Sequence, residues 1–180
     1  MSDTGNTIEL TIDGQAVHVT PGTTLWEAAQ QIGVEIPALC HDPGLEPVGV
    51  CRMCVVEFDE GGPPGQQASC TIPVSDGMVV NPKSEGTTTL RKGIMELVIS
   101  EHPHGCLNCH RIDLCGPADI CLRHVSVNDR CVTCPKNERC ELKDTVRYME
   151  MELDTPLTYN NRHLPLKTQD PMWEMDMNLC

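Results

Sequence analysis

Twelve cysteines stand in a chain of 180 residues, and their spacing divides most of them into two groups that could do metal chemistry. The first group, Cys40, Cys51, Cys54 and Cys70, has the pattern Cx10Cx2Cx15C. Four thiolates satisfy a [2Fe-2S] cluster, two on each iron, and a pair two residues apart can grip from a single turn. The stretch between Cys40 and Cys54 is rich in turn formers (Asp42-Pro43-Gly44, Pro47 and Gly49), so backbone amides can point at sulfur and tune such a cluster. Two other chemistries suit thiols. Tetrahedral zinc usually takes two CxxC pairs, where this group has one, and disulfides are disfavoured in a reducing compartment.

The second group lies between His102 and Cys140. It contains Cx2Cx5C twice, at Cys106, Cys109, Cys115 and again at Cys131, Cys134, Cys140. The triplets are about 25 residues apart, the mark of an internal repeat. With Cys121 and His102 they make eight donors, enough for two [4Fe-4S] clusters; with Cys121 set aside, one cluster beside a zinc ion or spare thiols also fits. His104, His110 and His163 lack such spacing, and Met151, Met172, Met175 and Met177 suit packing against a partner subunit better than a soft metal.

Several stretches resemble the amino-terminal iron-sulfur region of the large iron-sulfur subunit of respiratory complex I and its relatives. Those relatives are NAD-dependent formate dehydrogenases, [FeFe] hydrogenases and the diaphorase subunits of bidirectional hydrogenases. The matching residues are Thr24-Leu25-Trp26-Glu27-Ala28-Ala29, Ile36-Pro37-Ala38-Leu39-Cys40-His41, Cys51-Arg52-Met53-Cys54-Val55-Val56 and Ser69-Cys70-Thr71. The resemblance spans residues ~7 to ~145. It implies a β-grasp, ferredoxin-like domain whose [2Fe-2S] cluster is held by Cys40, Cys51, Cys54 and Cys70.

The same resemblance implies a [4Fe-4S] cluster on His102, Cys106, Cys109 and Cys115, where Hx3Cx2Cx5C follows the family motif. An imidazole in place of a thiolate removes one negative charge, so this cluster should be the easier to reduce. The sequence then departs from the family. The Glu-Leu-Gln-Asp-like continuation appears only after the second triplet, as Glu141-Leu142-Lys143-Asp144. Because the His-Pro context adjoins Cys106, His102 is expected with the first triplet, leaving Cys121, Cys131, Cys134 and Cys140 for a possible second [4Fe-4S] cluster; in the alternative assignment Cys121 joins the first triplet and His102 or His124 joins the second.

The elements that must position these thiols are also legible. Residues 7 to 20 alternate apolar and polar about Asp13-Gly14, which predicts a β-hairpin. Thr24 with Glu27 is a capping-box signature for a helix ending at Gly33. Val55 to Phe58, the stretch around Cys70 to Pro73, and Met78 to Val80 read as further short strands between Gly-Pro-rich turns. Hairpin, helix and strands together make an α+β fold. From Thr87 to Ser100 the period is helical, with Leu90, Ile94, Leu97 and Val98 as its apolar face and Arg91, Lys92 and Glu96 off it. We expect a ferredoxin-like domain over 1–83, a helix with the His/Cys-rich, cluster-organised domain over 84–147, and an extended arm or linker over 148–180.

Composition narrows the function classes. The formal charge of −13 argues against nucleic acid, whose phosphates demand clustered Lys and Arg. No apolar run reaches the ~18 residues of a membrane span, so membrane contact is expected only through partner subunits. The first residues lack the basic and apolar regions of a secretory signal, which suggests a reducing cytoplasm. No Gly-rich nucleotide loop, Ser/His/Asp set or catalytic carboxylate pair is present. The expected role is therefore electron relay between a flavin- and NAD(H)-binding diaphorase partner and a terminal acceptor or catalytic oxidoreductase subunit, with no substrate site on this chain. The alternatives are the front part of a catalytic subunit of formate dehydrogenase or [FeFe] hydrogenase type, and a zinc-stabilised interaction protein without a redox role.

Overall fold

The computed structural model describes residues 7–100, 140–151, 164, 165 and 172. The chain divides into two compact units, 1–94 and 95–180.

The first unit begins with the expected hairpin. Strands β1 (Ile8–Ile12) and β2 (Gln15–Val19) pair antiparallel, with Ile12 opposite Gln15. The Asp13-Gly14 turn places both residues in the left-handed region, at φ 51° and 75°, the geometry that matches the right-handed twist of the strands. Helix α1 (Leu25–Gln31) follows; the Thr24 side chain accepts from the Glu27 N–H, and the Glu27 carboxylate accepts from the Thr24 N–H at 2.8 Å. Strands β3 (Val55–Glu60), β4 (Gln67–Ala68) and β5 (Val79–Asn81) complete a sheet in the order β2-β1-β5-β3-β4. β5 runs parallel to β1 and antiparallel to β3, with an irregularity between Phe58 and Glu60. One helix packed on a mixed sheet is the β-grasp arrangement the sequence implied.

The core is apolar and tight. Leu10, Ile12, Val17 and Val19 from the hairpin, Leu25, Ala28 and Ala29 from α1, and Val56 and Val80 from the sheet form one buried cluster that also includes Cys54 and Cys70. Two of the thiols are thus part of the core itself.

Two expectations need correction. The stretch from Cys70 to Pro73 is not a strand: apart from an isolated bridge between Pro73 and Thr24, the Ser69 and Ile72 carbonyls accept from the first-turn N–H groups of α1, at Trp26 (3.1 Å) and Leu25 (2.9 Å). Helix N-termini leave such donors without partners, and here this segment supplies the acceptors. The local strand is β4, just before it.

The second correction concerns helix α2 (Glu85–Ser100). Its buried positions are Thr87, Arg91, Met95 and Ile99, whereas Leu90, Leu97 and Val98 are exposed. The buried stripe keeps the helical period but takes in an arginine, because two backbone carbonyls of the first unit need its donors, as described below. In the second unit, α3 (Glu141–Tyr148) starts at Cys140. Among the described residues, no helix is long and apolar enough to cross a membrane.

Candidate functional site

Cys40, Cys51, Cys54 and Cys70 come together from three segments, each fixed by its own contacts. The Trp26 indole of α1 donates to the Ile36 carbonyl at 2.9 Å and stacks on the His41 imidazole with ring centroids 4.0 Å apart. This fastens the chain leading into and out of Cys40. Cys70 sits between Ser69 and Ile72, the two residues whose carbonyls cap α1. Cys54 ends the CxxC turn at the start of β3, where its carbonyl accepts both the Ser69 N–H at 3.1 Å and the Ser69 hydroxyl at 2.7 Å. Helix α1 therefore serves as the platform for the outer thiols on one side and the last thiol on the other.

The turn between Cys40 and Cys54 needs unusual backbone. Gly49 has φ +66°, and a Cβ there would lie 3.1 Å from the Thr71 methyl. Arg52, inside the CxxC, adopts φ 57°, a conformation that costs a non-glycine residue about 1–2 kcal/mol. This turning aims amides at sulfur, and the Cys51 N–H donates to Cys40 Sγ at 3.5 Å.

The four cysteines fall into two pairs. Cys40 is joined to Cys51 by that amide contact, and Cys54 Sγ lies 3.3 Å from Cys70 Sγ. Cys54 and Cys70 are fully buried, while Cys40 and Cys51 are half-exposed, so the site has an inner pair and an outer edge. That edge carries Leu45, Val48 and Val50, all strongly exposed.

Burial and amide donors set the protonation preference of three of the thiols. Burial pushes the Cys70 thiol up to about 12, aided by its contact with Cys54 and by the charges that Cys54, Cys40 and Cys51 would carry. Cys40 is also raised, first by burial. At Cys51 burial acts upward too, but N–H donors from Met53 and Leu39 outweigh it and the thiol is lowered. Cys40 and Cys70 are thus held toward their protonated forms, and a metal bound by them would displace those protons. The donor set fits: two sulfur pairs suit two irons with two thiolates each.

Residues 5–85 match the family described as "2Fe-2S iron-sulfur cluster binding domain". The chain is 36% identical over 151 residues to an NADH-quinone oxidoreductase subunit of Rickettsia bellii, covering 84% of this chain and 21% of that protein. It is 38% identical over 125 residues to the corresponding NADH-quinone oxidoreductase subunit of Streptomyces coelicolor, covering 68% and 15%. Among solved structures it resembles a chain of the crystal structure of NAD+-reducing [NiFe]-hydrogenase in the H2-reduced state, with a TM-score of 0.61 and 27% identity over 91% of this chain and 57% of that one. The resemblance drawn from the sequence is thus borne out, and these relatives are subunits of oxidoreductases. The chain spans about one fifth or less of the length of these two curated relatives.

Of the second group, Cys140 alone lies within the described residues. It is the N-cap of α3, where its sulfur accepts from the Lys143 N–H at 3.4 Å. His102, Cys106, Cys109, Cys115, Cys121, Cys131 and Cys134 fall outside them. Sequence reasoning passed over three residues of the first site: Trp26 as a clasp, Ser69 as the anchor of the Cys54 carbonyl, and Arg91. The signal for Arg91 was the four-residue period of Thr87, Met95 and Ile99 at i, i+8 and i+12, in which Arg91 takes the i+4 place.

Proposed function

We propose that this chain is an iron-sulfur electron-relay part of an NAD(H)-linked oxidoreductase complex, with Cys40, Cys51, Cys54 and Cys70 holding its [2Fe-2S] cluster. The pairing of Cys40 with Cys51 and of Cys54 with Cys70 carries the reading. Bound there, the cluster would supply one-electron redox chemistry. The protein's own part is to hold the inner thiols dry, direct amides at the outer ones and leave one edge open. The exposed Leu45, Val48 and Val50 offer that edge an apolar rim for approach of a partner.

The same proposal assigns His102, Cys106, Cys109 and Cys115 to a [4Fe-4S] cluster and Cys121, Cys131, Cys134 and Cys140 to a second one. Cys140, the N-cap of α3, has its sulfur held by the Lys143 N–H, which fixes the place of one of these donors. Partners would be a flavin- and NAD(H)-binding subunit on one side and an acceptor or catalytic subunit on the other. The setting would be cytoplasmic, with any membrane contact through those partners.

Anaerobic purification of the whole chain, followed by iron and acid-labile sulfide analysis, tests this. About ten irons per chain are expected for one [2Fe-2S] and two [4Fe-4S] clusters, and about six for one [2Fe-2S] and one [4Fe-4S]. Zinc without sulfide would overturn it.

A further inference from the structure

Arg91 is buried, only 4% exposed. Its guanidinium donates through Nη1 to the Pro82 carbonyl at 2.9 Å and through Nη2 to the Val55 carbonyl. Val55 directly follows Cys54, whose own carbonyl is held by Ser69. A permanent cation therefore sits under the strand that begins at the inner thiol pair.

Packing alone does not call for this residue. Removing a guanidinium from water is costly, and an apolar side chain of similar volume commonly serves a fold as well or better. Its neighbours along the stripe, Met95 and Ile99, are apolar. The charge itself matters where a neighbouring group is negative and becomes more so. A [2Fe-2S] centre with four thiolates has net negative charge that grows by one on reduction.

We propose that Arg91 is a positioning residue that also sets potential: its buried charge, bonded to the carbonyl next to Cys54, favours the reduced state of the [2Fe-2S] centre. This rests on the cluster assignment above. Charge interactions at low effective dielectric reach beyond direct contact, so no bond between Arg91 and a ligand is needed. Two carbonyl bonds hold the guanidinium in place, so the effect is built into the fold.

The test compares the whole chain with Arg91→Gln, Arg91→Met and Arg91→Lys variants, each purified anaerobically. Dithionite titration is followed by the EPR signal of the reduced [2Fe-2S] centre. At the potential where half of the wild-type centres are reduced, both neutral variants should show a reduced-to-oxidised ratio about tenfold lower, the size expected of one charge at an effective dielectric of about 20. Arg91→Lys should stay close to wild type. An unchanged midpoint in either neutral variant overturns the proposal, as does a lysine variant that shifts as far as glutamine. If both neutral variants lose the centre while lysine keeps it, Arg91 serves cohesion rather than potential, and the proposal also fails. A wild-type chain without any [2Fe-2S] signal would defeat the cluster assignment itself, an outcome distinct from all of these.

Discussion

Cys54 and Cys70, sixteen positions apart in sequence, bring their sulfurs to 3.3 Å of one another inside the apolar core. The proximity joins the CxxC turn to the loop that caps α1, and it makes the metal-free protein electrostatically uncomfortable.

The first prediction concerns that metal-free state. The Cys70 thiol is raised from 9.0 to about 12 by burial and neighbouring thiols, so the fold favours its protonated form. A raised acid stabilises the fold below its unfolded value, and that contribution is lost as pH climbs through the folded one. Denaturant titrations of the apo chain should show stability falling from about pH 9 upward. Iron uptake should strengthen over the same rise, because binding releases thiol protons. A flat stability profile between about pH 8 and 11 would contradict the raised thiol.

Thiol reactivity should follow the same ordering. Cys51 is half-exposed and lowered, with amide donors overcoming the effect of burial. In the apo chain it should be alkylated by iodoacetamide before Cys70, with peptide mass spectrometry as the readout. In the loaded chain both should be protected.

Cys51→Ser should abolish the [2Fe-2S] EPR signal and leave any [4Fe-4S] signals in place, since the two groups of ligands come from separate stretches of chain. Loss of every signal together would contradict that separation.

The capping box of α1 offers a stability test. Thr24→Ala should cost about 1 kcal/mol, read from the urea midpoint. Glu27 is lowered below 4.5 chiefly by the Thr24 N–H, with the Thr24 hydroxyl and His41 assisting. A lowered carboxyl stabilises above its unfolded value, so this contribution fades as pH falls below about 4.5. Glu27→Gln should therefore lose less stability than wild type between about pH 5 and 3.

Much of the first unit was legible because its signals are local. Asp13-Gly14 allows only a narrow turn geometry, and Thr24 with Glu27 marks a helix start by reciprocal bonds; the CxxC spacing announces a metal or cluster. Where the reading failed, distant partners decided. The carbonyls of Ser69 and Ile72 serve a helix 43 and 47 residues earlier at Trp26 and Leu25, so a strand-like sequence forms no strand. Arg91 is buried because of carbonyls at Val55 and Pro82; an amphipathic pattern, which asks only for apolar residues, looks past it. The parallel pairing of β1 with β5 likewise left no local trace.

A pair of glycines separates strain from entropy. Gly61 has φ +71° and a Cβ there would lie 2.8 Å from the Gly77 carbonyl oxygen, whereas Gly65, at φ +76°, faces open space. Gly65→Ala should cost about 1–2 kcal/mol for the left-handed backbone alone. Gly61→Ala should cost clearly more, because backbone must also move; equal thermal shifts for the two would show that the Gly61–Gly77 approach is soft.

The place of β5 between β1 and β3 has a consequence for biosynthesis. The opening hairpin lacks its inner neighbour until Asn81 has been made, so during translation the edge of β1 is bare while all four cysteines of the first group have already been polymerised. Such long-range closure slows folding. Iron and sulfide delivered before the last strand emerges would meet an unfinished cradle, and maturation of this centre should follow release of the nascent domain from the ribosome rather than accompany its synthesis.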